Sequence, residues 1–446
     1  MRKWRIVLLA ALCALALATL IVDRWLRPLD LDTERAAARA AGLPLAPEDF
    51  PMPRYPPRQD AAPDWKALTL TLLPASATPS WKAVGRAGVY ETPPGSRNAQ
   101  TFRFIAQHRR LLDRIHVAAN KPGRSLSHGW GPEATFPELA AMRNAGALLC
   151  LESLSMARQG HPVEAIRNQA LGFRLAKQAA EEPLVIGCLS ASGIERNTLN
   201  GMADIARENP TPAVAAAIRA AIARGAPRYD LVRSLKGDTL LDLGIIRRVD
   251  SITTIRAIWA TSFDHLPSNI ERRPSGLIRY GFQEPTEAIY LHYMTRLVHA
   301  AAAPSRVRDH RMHAVGEAAQ MTARNGPAYW AASGWIAGYA ICYDALNRVI
   351  AQRAVVTAAA DALAWRTQRG AFPATLADAS GRTTDPYTDG PLGYRRTEGG
   401  FVVYSVGLGD SFAGLPGPGA RGQTYFNYPN PRLDGPAPPI SGKVRP

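Results

Sequence analysis

Four residues in one short segment are the best candidates for metal ligands in this chain. They are Asp309, His310, His313 and Glu317. On a helix, residues 310, 313 and 317 share a face, which is an arrangement that metal ligands can adopt. Three arginines lie within or beside the segment and disfavour a cation: Arg306, Arg308 and Arg311. The segment therefore predicts a solvated basic face rather than a metal centre, and contact with anionic phospholipid headgroups is a third interpretation.

The other candidates for chemistry are isolated acidic residues. The sequence contains none of the motifs HExxH, GxxxxGK[ST], GxSxG or CxxC, and no GxGxxG after a strand-like run. Glu181 with Glu182, and Glu195 with His161, are acid–base combinations that we expect to lie on the surface. The sequence thus predicts no catalytic, metal-binding or cofactor-binding residue and no cofactor, and it favours a protein that is not an enzyme.

The cysteines predict buried thiols rather than disulfides. Cys13 lies in an apolar run, and Cys150, Cys188 and Cys342 lie in helix-like apolar stretches. An odd number cannot pair completely, so we expect three small buried hydrophobic side chains. A Cys150–Cys188 disulfide between neighbouring helices is the alternative.

The amino terminus predicts a membrane anchor over Ile6–Val22. This run has no charge, proline or glycine, and it covers about 25 Å as a helix. Trp4 and Trp25 bracket it, as expected for side chains at the two membrane interfaces. A cleaved signal peptide is the alternative, because residues 14–18 offer small-x-small cleavage sites. The run continues beyond those sites, which favours an anchor.

Charge distribution predicts the orientation and the compartment. Arg2, Lys3 and Arg5 precede the run and should stay in the cytoplasm, so the remainder of the chain is exported. In a two-membrane bacterium the expected location is the inner membrane, as a single-pass protein with a periplasmic body. The formal net charge of +16 suits an anionic neighbour such as lipid headgroups or envelope polymers. A periplasmic location argues against nucleic acid.

Between the anchor and residue 343 the composition predicts a proline-rich arm followed by helices. We assign residues 1–27 to the anchor, 28–100 to the arm and 101–343 to a helical body. Prolines extend the chain over Leu43–Pro63, which either drapes over the body or spaces it from the membrane. Within the body, Pro137–Gln159 and Pro162–Ala180 should form a helical hairpin, and Thr211-Pro212 should begin a helix. Ala328–Tyr343 predicts a central helix, with a second membrane span as the alternative.

The last part of the chain predicts a small α+β module over 344–414, followed by a proline- and glycine-rich tail over 415–446. A helix from Asp344 should run through Arg369 and stop at Gly370. Leu392–Arg396 and Phe401–Val406 should form a hairpin that packs against this helix, because a lone hairpin is marginally stable. We expect Val402 or Tyr404 to face the helix.

The order of motifs in this module is familiar. The residues are Phe372-Pro373, Leu376, Asp385-Pro386-Tyr387, Pro391-Leu392, Tyr394, Gly400-Phe401 and Tyr404-Ser405-Val406-Gly407. Over about 60 residues they resemble the carboxy-terminal half of the major pseudopilins of type II secretion. The same ending is similar to that of a group of uncharacterised, membrane-anchored bacterial proteins. The resemblance implies an α+β fold and partners in a secretion or pilus-type assembly.

The chain departs from the pseudopilin pattern at two places. Its amino terminus lacks the prepilin signature Gly-Phe-Thr-Leu-x-Glu, so assembly into a pilus by that route is not supported. The loop that binds calcium in pseudopilins corresponds to 407–414 and carries a single carboxylate, Asp410. Calcium prefers six to eight oxygen ligands, so no calcium site is predicted.

Together these features predict a mainly α-helical envelope protein. The expected architecture is a transmembrane helix, an irregular α-helical bundle and the small α+β module. The expected function is an interaction or scaffold protein, accessory to a secretion or pilus-type assembly, with a protein partner in the envelope. Two alternatives remain open: an envelope hydrolase with an unrecognised site, and a binder of anionic lipid or envelope polymer.

Overall fold

The computed structural model describes residues 29–76, 102–126, 128–248, 283–322, 327–380, 384–397, 399–405 and 424–428. Helices account for 72% of this part of the chain, which confirms the mainly α-helical prediction. The predicted anchor Ile6–Val22 and the loop 407–414 lie outside the described residues, as does all of the tail except 424–428. In the described ranges we find no helix with the length and apolar character needed to span a bilayer.

The helices and strands have the following bounds. The helices are α1 (Leu31–Ala40), α2 (Ala62–Ser76), α3 (Arg109–Asn120), α4 (Pro137–Arg158), α5 (Pro162–Gln169), α6 (Leu171–Ala180), α7 (Val185–Glu208), α8 (Pro212–Gly225), α9 (Leu231–Arg247), α10 (Glu284–Ala301), α11 (Ser305–Thr322), α12 (Pro327–Arg369) and α13 (Leu376–Ser380). The strands are β1 (Gly393–Arg396), β2 (Phe401–Ser405) and β3 (Thr424–Tyr428).

The chain divides into two compact units, each made of several segments. Unit 1 contains residues 1–51, 128–134 and 235–341, and unit 2 contains residues 52–127, 135–234 and 342–446. The domains predicted from the sequence are contiguous segments, unlike these units. The predicted boundary after residue 343 lies close to the division that the structure shows after Ile341. The remaining division points follow from long-range packing, which composition does not encode.

Local signals explain several helix ends. Thr211 caps α8, where its hydroxyl accepts from the Val214 N–H at 3.3 Å and Pro212 occupies the first turn. Gly370 has φ +76° directly after α12, the left-handed conformation that ends helices. Both predictions are confirmed. The predicted helix from Asp344 begins earlier, at Pro327, because the Ala328–Tyr343 segment continues into it without a break.

One hydrophobic core of unit 2 lies among α2, α3, α4, α6 and α7. Trp65, Leu112 and Leu149 are fully buried there, and the Trp65 indole N–H donates to Gln178 Oε1 at 2.8 Å. The predicted hairpin is confirmed, since α4 packs against α5 and α6. Its second arm is interrupted at Ala170, which separates α5 from α6.

A second core of unit 2 joins α5, α7, α8 and the unit 2 part of α12 to the sheet. The three strands are antiparallel in the order β1-β2-β3, with Val403 opposite both Tyr394 and Phe426. Phe401 and Val403 are fully buried in this core. The prediction that Val402 or Tyr404 faces the helix is wrong. Tyr404 instead covers Gly393, where a Cβ would lie 2.2 Å from the tyrosine ring.

The proline-rich segment drapes over the folded units. In unit 1, Leu45 and Phe50 are buried, and the Phe50 ring meets the Trp130 ring edge-on at 5.8 Å. In unit 2, the Tyr55 ring covers Gly123, and its hydroxyl donates to Glu181 at 2.7 Å. The proline-rich segment is not part of a β-sheet, and burial of its side chains stabilises it instead.

Unit 1 is built on α10, which packs against α1 and α11. Tyr290, Met294 and Leu297 of α10 are fully buried. Met312 of α11 and Ile336 of α12 are buried in the same unit. This packing leaves one face of α11 exposed.

Candidate functional site

The predicted metal-ligand candidates do not form a metal site. Asp309, His310, His313 and Glu317 lie on α11, where His310 and Glu317 are exposed and the other two are half-buried. In the described ranges no group of three or more His, Cys, Asp or Glu side chains is placed to hold a metal ion. Of the neighbouring arginines, Arg308 is half-buried and Arg311 is exposed.

The acidic residues expected on the surface are largely buried, so that prediction is wrong. Glu182 is fully buried and forms a 3.0 Å ion pair with Arg124. Glu181 accepts from the Tyr55 hydroxyl and from the Arg124 backbone N–H at 2.6 Å. Burial raises the pKa of Glu181, and it raises the pKa of Tyr55 to about 12 with the help of the hydrogen bond to Glu181. Arg124 thus joins two consecutive glutamates.

Glu195 is the centre of a second buried cluster. Arg353 donates to both of its carboxylate oxygens, through Nε and through Nη2 at 2.7 Å. The Tyr229 hydroxyl donates to Oε2 at 2.6 Å, and Arg353 also reaches the Pro227 carbonyl at 2.8 Å. Burial raises the pKa of Glu195, and Arg353 opposes that rise. His161 is exposed and is not a partner of Glu195.

This second cluster fastens α12 to α7 and to the segment before α9. Removing Arg353 would leave the buried Glu195 without its ionic partner, and breaking a buried ion pair in this way typically costs about 3–5 kcal/mol. Both carboxylate oxygens of Glu195 accept hydrogen bonds within the cluster. Its role in the described structure is to position helices.

Cys150, Cys188 and Cys342 form no disulfide, which overturns the disulfide alternative, and the prediction of buried thiols is confirmed for Cys150 and Cys188 but not for Cys342. Cys150 and Cys188 are buried, and Cys342 is half-buried. Cys188 Sγ lies 3.0 Å from Ser234 Oγ, and burial raises the pKa of Cys150. Thiols protonated at neutral pH and shielded from solvent are poor nucleophiles.

The sequence did not predict a histidine–carboxylate pair that lies at the surface of unit 2. His116 Nε2 lies 2.7 Å from Glu152 Oε2, and Asn168 donates to the same oxygen at 3.0 Å. Burial of Glu152 opposes ionisation, but the His116 and Asn168 hydrogen bonds prevail and hold the pKa of Glu152 below its usual range. Arg109 adds a contact of 3.4 Å. No spacing in the sequence connects residue 116 with residue 152.

Unit 1 contains a buried carboxylate that is held by hydroxyl groups. Tyr290 and Tyr339 both donate to Asp242 Oδ2, at 2.7 and 2.8 Å. Burial raises the pKa of Asp242 to about 6. In the same unit, Glu287 forms ion pairs of 2.8 Å with both Arg35 and Arg247. Burial alone would raise the pKa of Glu287, but the two arginines outweigh it and lower that pKa. The two acids thus have opposite environments.

The pseudopilin-like residues contact one another. Ser405 donates to the buried Asp385 at 3.0 Å, so the Asp-Pro-Tyr turn is joined to β2. The Tyr394 hydroxyl donates to the Pro373 carbonyl at 2.9 Å. The Phe401 ring lies 5.1 Å from Phe372, with their planes inclined at 58°. These contacts join the motif residues to one another within the module.

No protein-family model, curated protein or solved structure matches this chain.

Proposed function

We propose that this chain is a single-span envelope protein whose periplasmic helical body and carboxy-terminal α+β module act as interaction surfaces. Its role is that of a scaffold accessory to a secretion or pilus-type assembly. The proposed architecture is a transmembrane helix at Ile6–Val22, an irregular α-helical bundle and the α+β module.

The amino-terminal sequence supports the location. A 17-residue run without charge, preceded by Arg2, Lys3 and Arg5, is typical of a signal anchor that leaves the following chain outside the cytoplasm. The basic composition is compatible with export, because long domains translocate largely regardless of their charge.

The single observation that carries the functional proposal is the set of contacts among the pseudopilin-like residues. Asp385 with Ser405, and Tyr394 with Pro373, connect loops to strands inside the module. Side chains that make such contacts hold the folded surface of the module in place, and their polar groups are engaged in these hydrogen bonds rather than available for catalysis. Arg395 and Arg396 are exposed on β1 and give the module a basic edge. A sheet edge with exposed arginines suits an acidic partner and resists non-specific strand pairing.

The test is affinity purification of the tagged full-length chain from detergent-solubilised membranes. The variant R395E/R396E reverses the charge of the module edge without altering a buried residue. The matched control R110E/R114E makes the same charge change on the exposed face of α3. We expect an envelope protein that co-purifies with the parent and the control and is lost with the module variant. Equal recovery with all three chains would contradict a role for the module.

A further inference from the structure

Two large apolar side chains of unit 2 point away from its core, one on α2 and one on α3. Leu70 is 77% exposed, and Val117 is 59% exposed. Leu70 lies about 160° around α2 from the buried Leu68. Val117 lies about 160° around α3 from the buried Ile115. Since α2 and α3 pack against each other and both pack on α4, Leu70 and Val117 lie on the outer side of one helical layer.

Basic side chains surround these two apolar ones. Lys66 lies about 40° from Leu70 around α2. Arg110 and Arg114 lie about 20° and about 60° from Val117 around α3. All three cations are exposed, and none makes an ion pair or a hydrogen bond within the part of the chain that the structure describes. We name the surface formed by these five residues the α2/α3 face: Lys66, Leu70, Arg110, Arg114 and Val117.

The carboxylates of α2 and α3 are already paired with other residues. Asp113 forms an ion pair of 3.2 Å with Arg109, and Asp64 forms one of 2.5 Å with Lys121. These acids therefore do not neutralise the three cations of the α2/α3 face, which carries a net positive charge. Positive charge around exposed apolar side chains complements an anionic bilayer, whose phosphate groups lie directly above hydrocarbon.

We propose that the α2/α3 face docks on the anionic surface of the membrane that holds the chain's anchor. The two apolar side chains enter the headgroup region, and the three basic side chains contact lipid phosphates. This inference rests on the anchor of the proposed function, because about 40 residues separate Val22 from the start of α2. Such a tether keeps the local concentration of the bilayer high, so weak contacts are sufficient for docking.

The charges of the face make docking selective for anionic lipid and sensitive to salt. Each Lys or Arg near an anionic membrane strengthens binding roughly five-fold. Two apolar side chains alone bury little area, so the face should not remain docked on a neutral bilayer. Salt screens charges separated by more than about 10 Å at 0.1 M, so docking should weaken as salt is added.

The test places a fluorescent label on the full-length chain, reconstituted into vesicles. A67C puts the label about 60° from Leu70 around α2, and A213C makes the same change at an exposed site of α8. The vesicles contain phosphatidylcholine, about a quarter phosphatidylglycerol, and a lipid whose headgroup carries a quenching nitroxide. We expect about two-fold quenching of A67C, none of A213C, and none of A67C without phosphatidylglycerol. The parent, labelled in the same way, gives the background from the native cysteines.

Charge reversal tests whether the cations of the face cause the docking. R110E/R114E should reduce quenching of the label on the face to the level of the control site. The matched variant R224E/R228E makes the same charge change at exposed positions elsewhere in unit 2 and should leave the quenching unchanged. Circular dichroism establishes that each variant is folded. In the affinity purification described above, detergent replaces the bilayer, so R110E/R114E remains a valid control there.

The outcomes separate the docking from the anchor. A chain that floats with the vesicles but shows no quenching of A67C would overturn the docking and leave the anchor in place. A parent chain that does not float with the vesicles would overturn both. A label at A67C that is shielded from the soluble quencher acrylamide, but not quenched by the nitroxide lipid, would mean that protein covers the face, and it would also overturn the docking.

Discussion

At the scale of single residues, the buried carboxylates differ in how their charge is compensated, and this difference predicts their response to pH. Glu287 has two arginines, and its pKa is lowered. Asp242 has two tyrosine hydroxyl groups, and its pKa rises to about 6 from an ordinary value of 3.8. Hydrogen bonds from hydroxyl groups do not fully replace the hydration that a buried carboxylate loses.

The prediction at this scale concerns Asp242. Because the folded chain holds the proton more tightly than the unfolded chain, the stability from protonated Asp242 is fully present below about pH 4. It is lost as the pH rises through about 6. D242N keeps an oxygen that can accept from Tyr290 and Tyr339 but does not titrate. The free energy of unfolding of D242N relative to the parent should therefore increase by about 1–2 kcal/mol between pH 5 and pH 8. Urea titrations at both pH values measure it, and parallel pH profiles would rule it out.

At the scale of the elements, the sheet shows where a period-two pattern is insufficient. Residues 401–405 alternate between two apolar sets, so the sequence predicts a strand without deciding which set is buried. In the structure Phe401 and Val403 join the core, while Tyr404 covers Gly393 on the opposite face. The deciding factors are Phe372 and Phe426, whose rings lie 5.1 and 5.8 Å from that of Phe401.

The prediction for this element follows from the observed face. V403D places a charge without a partner in the core and should destabilise the module by several kcal/mol. Its matched control, R395D, introduces the same side chain at an exposed position of β1. Limited proteolysis should cut V403D between Gly370 and Gly400 while the helical body resists, and R395D should resemble the parent. Equal resistance of V403D and the parent would show that β2 is not packed through Val403.

At the scale of the whole molecule, the sequence predicts helices better than it predicts contacts. Caps and breakers such as Thr211-Pro212 and Gly370 act within a few residues, so the helix ends that they set can be identified locally. The pairs Glu195–Arg353 and His116–Glu152 join residues far apart in sequence. Their partners are decided only when the helices pack. The expectation that Glu182 and Glu195 are exposed failed for this reason, since each is buried beside an arginine that composition alone does not identify.

The last prediction concerns topology. If Ile6–Val22 is an uncleaved anchor with Arg2, Lys3 and Arg5 inside, a reporter fused after Pro446 should be active only in its periplasmic form. The same result requires that Ala328–Tyr343 does not cross the membrane, because a second span would return the carboxy terminus to the cytoplasm. The full-length chain should also remain with membranes after a carbonate wash. Replacing Leu15 and Leu17 with arginines breaks the apolar run and should abolish export of the reporter, because each central arginine costs about 2.5–3.5 kcal/mol of insertion free energy. Cytoplasmic reporter activity in the parent would contradict the orientation, and a shortened chain released by carbonate would identify the run as a cleaved signal peptide.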